Sequence, residues 1–292
     1  RIFTLSSHDT TSQVTENQLL DGRYRIVARI GYGGMGSVYQ ATDEQSGGDV
    51  AIKMLSPTLN RDWFSRAHFE QEARIGMELT SSSTARVLDD QTQRAESPYF
   101  VMEYLDGQTV DYLFRSQGAL PISAVERIAE QVLESLAEAH DKGIVHRDVK
   151  PGNWMMVANQ DGVGALKVID FGLAHRDDNP ILCDDDSVLG TPAYMSPEQI
   201  QGLPPTPCAD LYSLGISLFE LATGDAPYAG DSLVDVAGGH LALAPVELPR
   251  RLRRTRLGKV LKRALQKDPA KRIQSAHSMR RDIGKPEHSP IL

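Results

Sequence analysis

The chain has 292 residues, of which 40% are hydrophobic and 24% are charged, a composition that is ordinary for a globular protein. Its formal net charge of -8 at pH 7 argues against general affinity for nucleic acid, because the phosphate backbone would repel it. Two cysteines are too few for a zinc cluster or a disulfide framework, and no apolar run approaches the roughly 20 residues of a membrane-spanning helix. The length suits two lobes better than one compact domain.

A glycine-rich loop lies between two predicted strands near the amino terminus. Residues 1–21 are polar without periodicity and predict a flexible arm. Residues 24–30 are β-prone, and residues 37–42 alternate apolar and polar side chains with period two. The glycines between them fit G-x-G-x-x-G, a weak pattern that dinucleotide-binding folds and kinases share. They are Gly31, Gly33 and Gly36. A dinucleotide site requires a helix after the last glycine, so a strand there disfavours that class.

The remaining elements predict a β-rich half followed by a helical half, with the change near residue 105. Residues 50–55 and 99–104 are apolar runs of strand length, and residues 66–79 predict a helix between them. Ser123 and Glu126 form a capping-box pattern that predicts the start of a helix. Gly143 is its predicted end, and residues 210–222 predict another apolar helix, which ends at Gly224. The predicted fold class is α+β.

The polar residues of the central segments suit phosphoryl transfer, which needs a phosphate cradle, magnesium and a carboxylate that orients the attacking hydroxyl. In HRDVKPGN, residues 146–153, Asp148 can accept the hydroxyl proton. Asn153 and Asp170 offer the hard oxygen ligands that magnesium prefers. Lys53 offers an ammonium to the α- and β-phosphates and needs a carboxylate partner. Glu72 is the candidate partner, with Glu70 and Glu78 as alternatives on the same predicted helix.

Six motifs in order carry a resemblance to a known family: GYGGMGSVY, VAIK, HRDVKPGN, DFGLA, GTPAYMSPE and DLYSLG. Over residues 22–283 the chain resembles a eukaryotic-type protein kinase catalytic domain, close in style to bacterial serine/threonine kinases. The resemblance implies a two-lobed kinase fold, with a small antiparallel β-rich N-lobe and a larger, mainly helical C-lobe. The implied division is a polar arm at 1–21, the N-lobe at 22–104, the C-lobe at 105–283 and a tail at 284–292.

The resemblance assigns roles to residues that match the motifs. Lys53 binds phosphate, with Glu72 as its ion-pair partner, Asp148 is the catalytic base, and Lys150 neutralises the moving phosphoryl group. Asn153 and Asp170 hold Mg²⁺, with Mn²⁺ as an alternative. Lys150 with Thr191 resembles the serine/threonine branch of the family. The residues implied to surround ATP are Ile30, Gly31, Gly33, Gly36, Val38, Ala51, Lys53, Met102, Glu103, Leu105 and Met155.

Other matching residues are interpreted as scaffold. His146 is expected to pack against Phe171 rather than to act as a base. Asp210 is expected to be a helix N-cap that also bonds the HRD backbone. Glu198 and Arg272 resemble a buried ion pair of the helical lobe.

Two departures from the family pattern concern the helix that carries Glu72. Gly76 lies inside it, where the family has a bulkier residue, at a cost of about 1 kcal/mol relative to alanine. The segment TSSSTARV, residues 80–87, replaces the usual His-Pro turn. These departures predict an unusually mobile helix.

The implied activity is transfer of the ATP γ-phosphoryl group to serine or threonine of proteins, including the kinase itself, in bacterial-type signalling. The implied partners are protein substrates and ATP, not nucleic acid, and a homodimer is compatible with the family. A cytoplasmic location follows, either as a free protein or as the cytosolic part of a membrane-anchored receptor kinase. The alternatives are a pseudokinase, although no Lys, Asp or Asn of the motifs is lost, and more remotely a Rossmann oxidoreductase.

Two further segments give hypotheses about regulation and docking. Ser187 is the only serine or threonine between residues 170 and 190, and Asp184, Asp185 and Asp186 precede it. These aspartates are expected to replace, in part, a phosphate that would pair with Arg147. Residues 250–272 contain eleven Lys or Arg and one acid. The plain interpretation is the solvated face of a helix with leucines turned inward, and the alternative is a docking surface for an acidic partner or anionic lipid.

Overall fold

The computed structural model describes residues 14–157, 164–176, 192–204, 206–228, 230 and 232–284. The chain divides into two compact units, Arg1–Thr80 with Ala85–Leu105 and Ser81–Thr84 with Asp106–Leu292. The first contains an antiparallel sheet and the second is mainly helical, so the α+β class predicted from the sequence is confirmed. In the described part of the chain, no helix is both long and apolar enough to cross a bilayer.

The first unit is an antiparallel sheet with one long helix. The described strands follow the order β1-β2-β3-β4-β6-β5 across the sheet. They are β1 (Leu19–Leu20), β2 (Tyr24–Gly33), β3 (Gly36–Asp43), β4 (Asp49–Leu55), β5 (Val87–Gln91) and β6 (Tyr99–Glu103). The helix α1 (Trp63–Glu78) begins at Asp62, whose side chain accepts the Ser65 N–H. It follows a 3₁₀ turn at Leu59–Arg61. The predicted strand-to-strand connection at the glycine-rich loop is confirmed.

The prediction of a flexible arm over residues 1–21 is wrong for its last part. Val14 is only 6% exposed and belongs to the core cluster of the first unit. Leu20 packs against the same cluster, and β1 pairs antiparallel with β2 through Leu20 and Tyr24. The apolar side chains within this polar stretch therefore bring it onto the sheet. Residues 1–13 lie outside the described part of the chain.

Gly76 allows α1 to approach β5 closely. A Cβ atom at Gly76 would lie 2.3 Å from Val87 Cγ2, a distance that real Cβ atoms essentially never show. Both residues belong to the first unit, and Val87 packs against the cluster of Leu55, Phe69 and Phe100. The glycine thus provides space for the valine of the neighbouring strand, which explains the first departure from the family pattern.

We expect Gly76→Ala to destabilise the first unit, although alanine is the better helix former. The gain in helix propensity is about 1 kcal/mol, whereas overpacking a tight core costs typically about 1–3 kcal/mol. Urea unfolding followed by far-UV circular dichroism measures the net effect. Val87→Ala in the same chain should recover stability, because it removes the colliding methyl groups.

Gly238 supplies a matched control, since it also lies in a helix but a Cβ there would meet nothing within 4 Å. Gly238→Ala should stabilise the protein, by up to about 1 kcal/mol. A Gly76→Ala variant as stable as the Gly238→Ala variant would show that Val87 does not restrict this position.

The second unit contains eight described helices and short strands. The helices are α2 (Val110–Gln117), α3 (Ile122–Asp141), α4 (Pro197–Ile200), α5 (Pro207–Thr223), α6 (Leu233–Leu241), α7 (Arg250–Arg253), α8 (Arg256–Ala264) and α9 (Ala276–Ile283). The strands are β7 (Gly107–Thr109), β8 (Ile144–Val145), β9 (Trp154–Val157), β10 (Ala165–Val168) and β11 (His175–Arg176). The 3₁₀ turns are Pro151–Asn153, Pro192–Tyr194 and Pro269–Lys271. Among the described residues, β7, β9 and β10 form one sheet, and β8 pairs with β11.

Two predicted helix starts are wrong. α3 begins at Ile122 with Pro121 as its N-cap and no side-chain cap, so Ser123 and Glu126 do not form the predicted capping box. Proline at the N-cap fixes φ before the helix but offers no acceptor, so the first N–H groups of α3 have no side-chain cap. α5 begins at Pro207, which places Asp210 inside the first turn rather than at the N-cap. The predicted ends are close, since α3 ends two residues before Gly143 and Gly224 caps α5 with φ of 96°.

The serine-rich segment that replaces the His-Pro turn is held by hydrogen bonds within the second unit. The Ser81 N–H donates to Glu138 Oε2 at 2.7 Å, and the Thr84 and Ser135 hydroxyls are 2.7 Å apart. The Val168 N–H donates to the Ser83 carbonyl at 2.8 Å. Backbone groups and the Thr84 hydroxyl thus attach this segment to α3 and β10.

The basic tract at residues 250–272 has an apolar inner face, as the plain interpretation predicts. The four residues predicted to turn inward, Leu257, Val260, Leu261 and Leu265, are buried, as are Leu252 and Ala264. Arg251 donates to the carbonyls of Ala222 and Thr223 at the end of α5, so its charge stabilises that helix terminus. Arg254 and Lys259 are exposed. The docking hypothesis stays a hypothesis, and its test should reverse exposed charges such as Arg254 and leave Arg251 in place.

Candidate active site

The three glycines of the loop between β2 and β3 have different surroundings. A Cβ atom at Gly36, where φ is 155°, would lie 2.0 Å from the Met54 carbonyl oxygen, so the neighbouring β4 requires glycine there. A Cβ at Gly31 would meet Val38 at an ordinary 3.5 Å, and one at Gly33 would meet nothing within 4 Å. Packing within the described residues therefore requires glycine at Gly36 but not at Gly31 or Gly33.

Several residues implied to surround adenine share one region of the first unit. Val38 is the register partner of Lys53, and Ala51 is the partner of Met102. Ala51 and Lys53 are two residues apart on β4, so they face the same side of the sheet. Ile30 lies next to the glycine that pairs with Val38. Sheet pairing thus brings these side chains together.

Two of the remaining residues of that set lie at or after the end of β6, and one lies in the second unit. Glu103 ends β6, its N–H donates to the Arg86 carbonyl at 3.0 Å, and its Oε1 accepts the Arg86 N–H at 2.9 Å. Leu105 is the last residue of the first unit. Met155 lies on β9, where it pairs with Thr109 and Lys167.

An ion pair links β4 to α1. The Lys53 ammonium donates to Glu72 Oε1 at 2.5 Å, with the Glu72 side chain 5% exposed and that of Lys53 14% exposed. Glu70, one of the two alternative partners, is instead paired with Arg66 at 3.1 Å. The predicted partner of Lys53 is therefore the one that contacts it, and the glycine in α1 has not displaced that helix from β4.

Asp210 fixes the backbone immediately before Asp148. Its Oδ2 accepts the His146 N–H and its Oδ1 accepts the Arg147 N–H, both at 2.8 Å. His140 Nε2 lies 2.8 Å from the same Oδ2. Burial alone would raise the pKa of Asp210, but the hydrogen bond and charge of His140, with the backbone N–H of His146, hold the pKa below its ordinary value. A charged carboxylate thus supports Arg147 in the left-handed region, with φ of 69°.

The predicted bond from Asp210 to the HRD backbone is confirmed by these contacts. The predicted packing of His146 is confirmed too, since its ring centroid lies 4.5 Å from that of Phe171. His146 Nδ1 lies 3.3 Å from the backbone nitrogen of Asp148. Its ring is therefore part of the scaffold that orients the next two residues.

The loop from Asp148 to Asn153 gathers three polar side chains. The Lys150 ammonium donates to Asp148 Oδ2 at 2.6 Å. The Asn153 Nδ2 donates to the Asp148 carbonyl at 2.9 Å and to Oδ2 at 3.1 Å. The side chains of Asp148 and Lys150 remain 15% and 24% exposed, so a second molecule can reach them. This arrangement fixes one carboxylate oxygen and orients the other.

Asn153 and Asp170 are brought together by the pairing of β9 and β10. The Ile169 N–H donates to the Asn153 carbonyl at 3.0 Å, one residue before Asp170. Because Asn153 Nδ2 is directed to Asp148, its Oδ1 is the atom suited to a cation. Asp170 Oδ1 accepts the Gly172 N–H at 2.8 Å. Two hard oxygen donors suit magnesium, which keeps water and phosphate oxygens among its ligands. No cage of three or more His, Cys, Asp or Glu occurs in the described residues.

Sequence reasoning missed one residue that supports this loop. Gln199 Nε2 donates to the Arg147 carbonyl at 2.9 Å, while its Oε1 accepts the Ser196 N–H at 3.0 Å. Ser196 in turn caps α4 through the Gln199 N–H. The pattern Ser-x-x-Gln predicts a capping box, but no local signal indicates the contact with a residue 52 positions away.

Comparison with known proteins agrees with this arrangement. Residues 24–282 match the family model described as the protein kinase domain. The chain belongs to the protein kinase family. The kinase domain is 36% identical over 269 residues to the serine/threonine-protein kinase pkn3 of Myxococcus xanthus, covering 89% of this chain and 49% of that protein. It is 38% identical over 278 residues to the serine/threonine-protein kinase PknB of Mycolicibacterium smegmatis, covering 92% of this chain and 44% of that protein.

These alignments confirm the resemblance to bacterial kinases of the eukaryotic type. A further relative, PknB of Mycobacterium tuberculosis, is 37% identical over 93% of this chain and 45% of its own length. The chain thus spans about half the length of the curated relatives it matches. Thr191, Ser187 and the three aspartates before Ser187 lie outside the described residues, so the activation hypothesis stays a prediction.

Proposed function

We propose that this domain is a serine/threonine kinase that transfers the γ-phosphoryl group of ATP to protein hydroxyls. The observation that carries the proposal is the convergence of Lys150 Nζ and Asn153 Nδ2 on Oδ2 of Asp148, at 2.6 and 3.1 Å. These two donors orient the Asp148 carboxylate, which is the group proposed to receive the proton of an approaching hydroxyl. The names of the relatives support the serine/threonine class.

Four residues of the chain have proposed roles in the reaction. Asp148 orients the hydroxyl and accepts its proton as the new phosphorus–oxygen bond forms. Lys150, already at this carboxylate, stabilises the negative charge of the phosphoryl group as it moves. In the first unit, Glu72 holds the Lys53 ammonium in one orientation, so that it can bind the α- and β-phosphates of ATP.

Asn153 and Asp170 are the proposed ligands of Mg²⁺, with Mn²⁺ as an alternative of the same ligand preference. The metal, when bound, neutralises phosphate charge. The proposed adenine-binding residues are Ile30, Val38, Ala51, Met102, Glu103, Leu105 and Met155, and the proposed phosphate-binding glycines are Gly31, Gly33 and Gly36. Lys150 and Thr191 support serine and threonine as acceptors rather than tyrosine. Autophosphorylation, a homodimer and a cytosolic setting, free or beside a membrane anchor, remain parts of this proposal.

A labelling experiment tests the proposed function. The domain is incubated with ATP labelled at the γ-phosphorus, Mg²⁺ and a basic protein, and the labelled protein is hydrolysed to its amino acids. We expect label on phosphoserine and phosphothreonine and none on phosphotyrosine. Chelation with EDTA should stop incorporation, because the two protein oxygens need the cation to hold phosphate. Label on tyrosine, or full incorporation with EDTA, would contradict the proposal.

A further inference from the structure

A partly buried polar cluster in the second unit joins the turn Pro192–Tyr194 to helices α5 and α6. Lys267 lies at one end of this cluster, and its ammonium donates to the Tyr228 hydroxyl at 2.6 Å. It also donates to the carbonyls of Gly239 at 3.0 Å and His240 at 2.7 Å. The three donors of the ammonium are thus matched by three acceptors.

The contacts with Gly239 and His240 anchor the carboxyl end of α6. The last carbonyls of a helix lack partners within it, and a cation there also opposes the negative end of the helix dipole. His240 is the only buried residue of this helix, at 0% exposure, so α6 has little other attachment to the core. Gly239 fits this contact as well, because a Cβ there would lie 2.7 Å from the Tyr228 ring.

The His240 ring continues the cluster to the turn. Nε2 lies 3.1 Å from the Ala193 carbonyl, and Nδ1 lies 3.0 Å from the Tyr212 hydroxyl. Burial and the nearby Lys267 charge lower the pKa of His240 to about 4, so the ring is neutral at pH 7. A carbonyl can only accept, so Nε2 carries the proton and Tyr212 donates to Nδ1.

The Tyr228 ring closes the cluster, since its centroid lies 4.7 Å from that of the His240 ring. Lys267 therefore acts on the Ala193 carbonyl through His240, whose backbone carbonyl it holds directly and whose ring packs against Tyr228. Burial and the Arg272 charge lower the pKa of Lys267 to about 8, so it remains mostly an ammonium at pH 7.

The turn Pro192–Tyr194 lies beside the residues that hold Asp148. Two residues after it, Ser196 caps α4, and Gln199 of that capping box donates to the Arg147 carbonyl. The turn itself is only partly buried. A substrate whose hydroxyl meets Asp148 continues by about 3.3 Å per residue on either side, so its neighbouring residues must lie on surfaces next to this loop.

We propose that Lys267 is a positioning residue for the protein substrate. Through Tyr228 and His240, whose ring Tyr212 also holds, it fixes the Ala193 carbonyl and with it the turn on which the residues flanking the target hydroxyl are received. The inference rests on the proposed kinase function and adds the determinant of peptide affinity to it. The Lys267 ammonium bonds to Tyr228, Gly239 and His240, none of which is proposed to bind ATP or to carry the reaction, so its loss should alter peptide binding rather than chemistry.

Steady-state kinetics of Lys267→Met tests the inference, with a short peptide taken from a site that the wild-type kinase labels. We expect KM for the peptide to rise about tenfold, the effect of about 1.4 kcal/mol of binding free energy. KM for ATP and kcat at saturating peptide should stay within about twofold. Lys267→Arg, which keeps the charge and donors, should recover part of the affinity. Lys262→Met is the matched control, since Lys262 is an exposed lysine of α8, and it should behave as wild type.

Tyr212→Phe provides a second variant, because it removes only the hydroxyl that holds the His240 ring at Nδ1. If Lys267→Met does not fold, a raised peptide KM in Tyr212→Phe supports the proposal and an unchanged one overturns it. An unchanged peptide KM in folded Lys267→Met overturns it, as does an equal change in KM for ATP. A wild-type domain that labels no protein would instead contradict the kinase function itself, which separates the two failures.

Discussion

Replacing Asp148 with asparagine is expected to reduce kcat by about 10²–10⁴-fold, the usual contribution of a general base. The amide oxygen can still accept from Lys150 or Asn153, but its NH₂ group cannot take a proton from the substrate hydroxyl. KM for ATP should change little, because Asp148 acts on the hydroxyl during the reaction. Single-turnover labelling of a peptide measures the chemical step directly.

The fold should survive this substitution. The Asp148 side chain contacts Lys150 and Asn153 of its own loop and is 15% exposed, so the substitution falls at a partly exposed position. Asp141→Asn makes the same change of charge at an exposed carboxylate of the second unit, 63% exposed and paired with His277. It should retain full activity. If wild type and Asp148→Asn incorporate equally little phosphate, the domain is a pseudokinase, the main alternative reading of the sequence.

The residues proposed to carry chemistry were predictable because their types are dictated by the reaction. A phosphate-binding ammonium requires a carboxylate partner, and the motif pattern assigns that role to Glu72 rather than to Glu70 or Glu78, in agreement with the contact between Glu72 and Lys53. Magnesium requires oxygen, which restricts the ligands to residues such as Asn153 and Asp170. Motif spacing then fixed the positions, and the structure adds the contacts that orient them.

The residues that support the site could not be predicted because their partners are distant in sequence. The local sequence predicts only a capping role for Gln199, and its hydrogen bond to the Arg147 carbonyl forms only in the folded unit. Lys267 reads as one of eleven basic residues in a charged tract, whereas its surroundings are tyrosines and carbonyls. The burial of Val14 likewise could not be predicted, because its neighbours in sequence are polar and its apolar partners lie on the strands of the sheet.

The start of α3 was predicted wrongly for a local reason. The pattern Ser-x-x-Glu at residues 123–126 competes with the proline two positions earlier, and proline determined where α3 begins. Helix ends were predicted better, because a glycine such as Gly224 adopts the left-handed conformation that terminates α5. Terminal positions therefore followed backbone stereochemistry more closely than side-chain patterns.

Removing Glu198 is expected to cause the largest loss of stability. Glu198 and Arg272 share two hydrogen bonds, at 2.5 and 2.7 Å, and their side chains are 7% and 0% exposed. Arg272 also donates to the carbonyls of Gln266 at 2.7 Å and Lys267 at 3.0 Å. Glu198→Ala would leave a buried guanidinium without its counter-charge, which costs about 3–5 kcal/mol.

Urea unfolding monitored by Trp154 fluorescence measures this loss in the second unit. Trp154 is fully buried, and Trp63 of the first unit, 67% exposed, can be removed as Trp63→Phe. Arg263→Met is the matched control, because Arg263 and Asp282 form an exposed pair, whose loss should cost only about 0.2–1 kcal/mol.

The double variant Glu198→Leu/Arg272→Met separates the cost of a lone charge from the value of the pair. Replacing both partners removes both charges from the interior, so it should be less destabilising than the two single changes added together. Glu198→Ala should also keep measurable phosphoryl transfer at a temperature low enough for it to remain folded, because the pair supports α4 and takes no part in the reaction. A Glu198→Ala variant that is as stable as the wild type but inactive would contradict this expectation and show that Glu198 takes part in the reaction.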